Sequence, residues 1–379
     1  MPLLGWPLVT MLSVLVVASV AGTLLLWGRV RGPRPARAAQ RVGLVLLCQL
    51  TAVLVLGAAV NDWGYFYGSW SDLFGTSSAT PSVQAAGHPL AQGHFGRTGA
   101  TTVGVVGASQ STWSGPAEWA TRGRVEQVRV HGLRSAITAT AEVYLPPQYF
   151  QPAWAHRQLP VVEVLGGYPG DTLGLVSRMH YPDKLLAEIH AGRARPMVLV
   201  MLRPTVAPPR DTECTDVPGG PLAMTFLAQD LPSAMDHLLR VRPVGWGVMG
   251  DSTGGYCAVK LAMTHSVQYS AAVAMSGYYH TLQDSTTGDL WGGSRVLRDL
   301  NDPEWLLAHQ PPPPVSVLVS MGTAERGALG LADTRRFLQL VKAPMTASSM
   351  LLPGGGHNFA NWGKVMPAAF DFLSARLGA

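Results

Sequence analysis

Charge is scarce in this chain. Only 13% of its 379 residues are Asp, Glu, Lys or Arg, against roughly 25% in an average soluble protein. The deficit is heaviest at the start, where residues 1–61 contain five arginines and no lysine, aspartate or glutamate. The whole chain has 28 basic and 23 acidic residues, so the part after residue 61 carries 23 of each sign and is formally neutral. The net charge of +5 therefore describes the first 61 residues, and a nucleic-acid partner has no electrostatic support. Cysteine is nearly absent too. Cys48, Cys214 and Cys257 form no CxxC or His/Cys cluster, so no metal is expected, and no motif calls for an organic cofactor.

What the opening segment does have is two uncharged apolar runs, Leu8 to Trp27 and Val42 to Val60. Each is about 20 residues long, enough to cross a bilayer as a helix. No basic region precedes Leu8, as a signal peptide would require, and two runs in tandem read as a transmembrane helical hairpin over 1–61. All five arginines (Arg29, Arg31, Arg34, Arg37 and Arg41) lie in the connector. The positive-inside rule places that connector in the cytoplasm, with both hairpin ends and everything after residue 61 outside. The bilayer is thus one expected partner; the oligomeric state is left open.

Residues 62–75 are aromatic-rich and suit the membrane interface or a strap on the domain. Residues 76–120, rich in Gly, Ser, Thr and Ala, read as a flexible linker, with His88 and His94 solvated. From 121 to 379 the pattern becomes regular. Arg124–His131 and Ile137–Leu145 alternate like antiparallel edge strands. Short apolar runs follow at 161–165, 197–202, 244–249, 271–275, 315–321 and 349–352, and helical patterns at 183–190, 222–241, 253–265, 331–341 and 362–377. Strands alternating with helices predict an α/β protein with a mostly parallel sheet covered on both faces.

Within that pattern Gly250-Asp251-Ser252-Thr253-Gly254 sits between a strand and a helix. This is the context of a nucleophile elbow, in which a sharp turn exposes a serine hydroxyl above the helix N-terminus. A serine needs an imidazole to take its proton and an acid to orient that imidazole, in the chain order Ser, Asp/Glu, His for this fold. His357, in Pro353-Gly-Gly-Gly-His, follows the last strand and is the expected base. Glu325 follows the preceding strand and is the expected acid; Asp333 is the alternative, though at the start of a helix it reads better as a local cap or dipole partner, and Asp251 reads as an elbow residue. Oxyanion donors are expected from the backbone N–H of Thr253 and of Tyr168, or else Gly167, in Gly166-Gly-Tyr-Pro-Gly170. Outside the membrane a disulfide persists, and a Cys214–Cys257 bridge would tie a loop beside the elbow; two separate thiols are the alternative. Trp291 and Trp305 are candidates to line an apolar acyl site.

From about Arg124 onward the chain resembles the putative esterase family of α/β-hydrolases, which includes esterase D and the secreted mycolyltransferases. The resemblance rests on Val143-Tyr-Leu-Pro-Pro, Leu159-Pro-Val-Val, Leu165-Gly-Gly-Tyr, Gly250-Asp-Ser-Thr-Gly-Gly, Ser276-Gly, Gly322-Thr-Ala-Glu and Pro353-Gly-Gly-Gly-His-Asn-Phe. It implies the α/β-hydrolase fold, Ser252 as nucleophile, Glu325 as acid, His357 as base, and Tyr168 and Thr253 as oxyanion donors. Gly166 departs from the His or Asp that many members carry there, and the acid is Glu, as in the mycolyltransferases. Only four basic residues are lysine, a bias of GC-rich genomes that suits an actinobacterial envelope protein. The expected function is a membrane-anchored serine esterase or acyltransferase acting on acyl-ester or lipid substrates outside the membrane. A non-catalytic envelope-binding protein on a hydrolase fold and a serine peptidase are the alternatives.

Overall fold

The computed structural model describes residues 3, 6–64, 70–74, 83–86, 102–108, 116–208 and 210–378. They fall into two compact units: Met1–Ala79 with Gly322–Arg326 and Pro353–Asn358, and Thr80–Met321 with Gly327–Leu352 and Phe359–Ala379.

In the first unit, two helices span Trp6–Leu26 and Arg34–Gly64. Both are long and apolar enough to cross a membrane. The second is 31 residues long, about 46 Å at 1.5 Å per residue. That exceeds the roughly 30 Å hydrocarbon layer, so its arginine-bearing start has length to extend beyond it. The helices meet through small polar groups: Ser19 Oγ lies 3.1 Å from Thr51 Oγ1, and Thr23 Oγ1 lies 3.2 Å from Cys48 Sγ. Such side chains let helix backbones approach closely in an apolar medium. Leu8 and Leu12 pack with Val55 and Ala58 at the open end. At the arginine end, Arg41 covers the Trp27 ring at 5.1 Å.

The second unit is built on a sheet. Its strands are β1 (Val83–Ala86), β2 (Thr102–Ala108), β3 (Arg124–His131), β4 (Thr138–Leu145), β5 (Val161–Leu165), β6 (Val198–Leu202), β7 (Trp246–Asp251), β8 (Tyr269–Met275), β9 (Ser316–Gly322) and β10 (Thr346–Leu352). They run in the order β1-β10-β9-β8-β7-β5-β6-β4-β3-β2. β5 pairs in parallel with β6 and β7, and β8 with β7 and β9, while β3, β4 and β6 join antiparallel. The central strands are largely apolar because both their faces are covered; the buried Glu163 of β5 accepts the Tyr269 hydroxyl at 2.6 Å. Val162 and Val164 of β5 enter one core with helices Tyr181–His190 and Phe359–Arg376. Val161 and Leu165 enter the other, with helices Leu231–Leu238, Thr253–Thr264 and Leu331–Leu340.

The structure departs from the sequence reading in several places. The segment expected to be a linker contributes β1, antiparallel to β10, and β2, antiparallel to β3, so both edges of the sheet come from it. Helix Trp119–Arg122 also starts before the expected domain boundary. Of the aromatic segment, Trp70–Leu73 forms one helical turn; 65–69, 75–82, 87–101 and 109–115, with His88 and His94, lie outside the described residues. The helix expected over 222–241 runs without a break from Ala223 to Leu238 and takes a π-helical turn at Phe226–Asp230. There the fully buried Asp230 turns its carboxylate to the β3–β4 connection, accepting the Ser135 N–H at 3.0 Å and hydroxyl at 2.7 Å.

The N-cap of helix Leu331–Leu340 is Gly330, and Asp333 lies in the first turn, where a dipole partner belongs. Its buried carboxylate accepts the Tyr279 N–H at 2.8 Å and pairs with His280 Nδ1 at 2.6 Å and Arg336 at 2.7 Å. The hydrogen bond to Asp333 raises the pKa of His280, against the effect of burial. Cys214 and Cys257 are bonded, closing a loop of 43 residues.

Removing the bridge frees that loop in the unfolded chain, a loss of about 2–4 kcal/mol, or roughly 5–15 °C of melting temperature. Cys214→Ser with Cys257→Ser, melted in detergent, should fall by that amount. Reductant should do the same to the native chain, and a melting point insensitive to both would contradict this. For His280 the raised pKa gives stability that is present below its ordinary pKa and lost as pH rises through the raised value. His280→Gln should therefore destabilise more at about pH 5.5 than at about pH 9. Equal losses at both would deny the pairing.

Candidate active site

The elbow is set by how closely three backbone segments approach. β7 ends at Asp251, and helix Thr253–Thr264 begins two residues later. A Cβ on Gly254 would overlap the Leu165 carbonyl oxygen, and one on Gly250 would stand 2.5 Å from the same atom. Only glycine fits at either position. Between them Ser252 adopts φ 54° and ψ −123°, a strained conformation for a residue with a side chain. It is fixed there by its N–H, donated to the Met275 carbonyl at 2.9 Å, and by its own carbonyl, which accepts from Gly255 and Tyr256. The first N–H groups of the helix have no partners within it, which gives this end its partial positive charge.

Asp251, read as an elbow residue, has a definite task. Its buried carboxylate accepts the Gly167 N–H at 3.0 Å and ties the loop after β5 to the elbow. This corrects one expectation: with its N–H spent on Asp251, Gly167 is not available as an oxyanion donor. Gly167 instead allows close approach, since a Cβ there would lie 3.1 Å from Ser252 Cβ. Tyr168, the next residue, is half-buried.

The loops after β9 and β10 form an acid–base pair. Glu325 Oε2 lies 2.7 Å from His357 Nδ1. The other carboxylate oxygen accepts the Gly322 N–H at 2.9 Å, so the acid is held from both sides. The loops are also tied directly: Ala324 N–H donates to the Gly355 carbonyl at 3.0 Å, and Gly354 N–H to Thr323 Oγ1 at 2.7 Å. A Cβ on Gly322 would overlap the Gly355 carbonyl, which accounts for glycines on both sides of this contact. Glu325 is buried and the imidazole is 26% exposed. The carboxylate can only accept, so Nδ1 donates to it, and in the neutral imidazole Nε2 is then the acceptor nitrogen. Asp333, bound to His280, is excluded as the partner of His357.

His280, Glu304 and Asp333 lie close enough to share an ion, but Arg336 bonds both acids and supplies the positive charge there. Trp291 packs into a small core with Val217 and Leu290, and Trp305 stacks on His309 at 4.4 Å, so neither is an evident acyl-site wall. The sequence reading passed over Lys260, Glu213 and Tyr278, which form a buried polar group beside the elbow helix. A lone lysine in the apolar run from Tyr256 to Met263 was the available signal.

Residues 137–373 match the model of the family described as "Putative esterase". An uncharacterized protein of Corynebacterium glutamicum is 24% identical over 260 residues, covering 63% of this chain; the chain spans 57% of that relative's length. Among solved structures, an S-formylglutathione hydrolase from Agrobacterium tumefaciens superposes with a TM-score of 0.55 at 16% identity, covering 67% of this chain and 96% of that one. A ferulic acid esterase gives 0.56 at 19% identity, over 67% and 98%. A fluorophosphonate-binding serine hydrolase of Staphylococcus aureus gives 0.53 at 14%, over 67% and 98%. At these identities the structures share the fold, and the family match carries the assignment: the chain belongs to the Putative esterase family of the α/β-hydrolases.

Proposed function

We propose that this protein is a membrane-anchored serine esterase or acyltransferase that works through an acyl-enzyme on Ser252. The observation that carries the reading is the 2.7 Å contact between Glu325 and His357, which engages Nδ1 and makes Nε2 the nitrogen that would take a proton. Ser252 Oγ attacks the ester carbonyl carbon and passes its proton to His357 Nε2. The carbonyl oxygen becomes an oxyanion, received by the backbone N–H groups of Thr253 and Tyr168. Collapse of the tetrahedral intermediate breaks the bond to the alcohol, which leaves with the proton from His357. Water, or a hydroxyl of a sugar or lipid, then gives a proton to His357 and attacks the acyl carbon, and His357 returns that proton to Ser252 Oγ as the acyl–serine bond breaks. Glu325 stays ionised and stabilises the imidazolium formed in both halves.

The hairpin supports a place of action outside the cytoplasmic membrane, because its arginines cluster at the connector. Acyl esters of the envelope then suit the site better than a cytosolic thioester. A peptidase shares the same triad, and the family match favours esters.

Ser252→Ala should lower hydrolysis of p-nitrophenyl esters by at least about 10³-fold while the protein stays folded, and peptide amides should not be cleaved by either form. Retained turnover in Ser252→Ala would refute the nucleophile, and efficient amide cleavage would favour the peptidase. In intact spheroplasts, added protease should digest the domain after residue 121 and spare a tag inserted between Arg31 and Arg34. A protected domain would reverse the topology.

A further inference from the structure

The elbow helix carries a buried polar group that no step of the proposed reaction uses. Lys260 is fully buried, and its Nζ meets three acceptors: the Glu213 carbonyl at 2.5 Å, Thr215 Oγ1 at 2.9 Å and Asn301 Oδ1 at 3.0 Å. Three acceptors match the three N–H bonds of an ammonium. Burial lowers the lysine pKa to about 7, and it raises that of Glu213, also buried, to about 7. Glu213 Oε1 accepts the Tyr278 hydroxyl in a short hydrogen bond. The Tyr278 oxygen lies 3.5 Å from Thr253 Oγ1, and its ring stacks on Tyr256 at 4.8 Å. Tyr256 in turn donates its hydroxyl to the Asn301 carbonyl at 2.7 Å.

These contacts fall on one face of one helix. Thr253, Cys257 and Lys260 are spaced i, i+4, i+7, with Tyr256 beside them. The loop around Glu213 grips that face at Cys257 through the disulfide and at Lys260 through its carbonyl. Glu213 and Cys214 both have left-handed φ, 44° and 49°, so the loop holds an unfavourable backbone to make these contacts. A strap that only had to hold the loop down would need the disulfide and Lys260. It would not need a carboxylate, costly to bury, directed through a tyrosine hydroxyl at the first residue of the helix.

We propose that Tyr278 and Glu213 are positioning residues for Thr253, fixing the helix start so that the Thr253 N–H faces the developing oxyanion. The Tyr278 oxygen, 3.5 Å from Thr253 Oγ1, is the polar neighbour that restrains the Thr253 side chain. This rests on the reading of Ser252 as nucleophile and Thr253 as oxyanion donor. A misplaced donor weakens transition-state binding and leaves ground-state binding largely unchanged, so the effect belongs in kcat and not in KM.

The test uses the full-length protein in detergent, a p-nitrophenyl ester as substrate, and fluorophosphonate titration to count competent sites. Tyr278→Phe removes one oxygen and should lower kcat per labelled site about tenfold with KM within about twofold. Thr253→Val should do the same, and the double variant should be no worse than either single one, since both break one contact. Glu213→Ala should match Tyr278→Phe, and Glu213→Gln, which keeps an acceptor for the phenol, should recover most of that loss. If Tyr278→Phe keeps wild-type kcat and only its melting temperature falls, the cluster is a strap and the positioning role is overturned. If the wild-type protein takes no label at Ser252, the nucleophile reading fails and this assignment falls with it.

Discussion

The close approach of three backbone segments is the constraint on which the rest of this architecture hangs. The Leu165 carbonyl at the end of β5 lies against Gly254 at the start of the elbow helix and against Gly250 at the end of β7, where no side-chain carbon fits. This contact fixes the turn between them, and the turn holds Ser252 at φ 54°. The same approach brings the loop after β5 within reach of Asp251, which takes the Gly167 N–H and leaves Tyr168 to follow. Packing at the elbow and chemistry at the site are thus one requirement. The glycines are there because the strand, the loop and the helix must touch.

Much of this was legible in the sequence because it depends on local rules. A strand buried on both faces is mostly apolar without alternation, as Val161 to Leu165 are apart from Glu163, and that marks the parallel centre of the sheet. The elbow motif needs small residues at fixed offsets, and the glycine-flanked His357 needs a bend in its loop. What was not legible lay in long-range pairing. β1, read Val-Gln-Ala-Ala, has no strand pattern of its own and is ordered by β10. Thr172–Ser177, Arg295–Leu300 and Pro303–His309 are helices of one or two turns, too short to show periodicity, started by the side-chain caps Asp171, Ser294 and Asp302. Asp333 looked like a cap because of its place in sequence, but its partner His280 is more than fifty residues away. That the Gly167 N–H is taken by Asp251 depends on a carboxylate 84 residues distant.

The chain also separates its charges by environment. Uncharged apolar length serves the hairpin, and its arginines gather at one end. In the larger unit, buried charges occur beside partners: Asp230 with the Ser135 turn, Asp333 with His280 and Arg336, Lys260 with three oxygens. Each such group needs hydrogen bonds to be tolerated away from water. The Lys260 group lies on the helix that begins at Thr253, directly after Ser252.

The central claim is that Ser252 becomes covalently acylated. The direct measurement is intact-mass analysis of the full-length protein after brief exposure to a p-nitrophenyl ester, quenched in acid and mapped by peptide fragmentation. The account predicts one acyl adduct on the peptide containing Ser252, accumulating further in a His357 variant only if deacylation is impaired more than acylation, and absent from Ser252→Ala. An adduct on another residue, or ester turnover by a protein in which Ser252 is never modified, would contradict it.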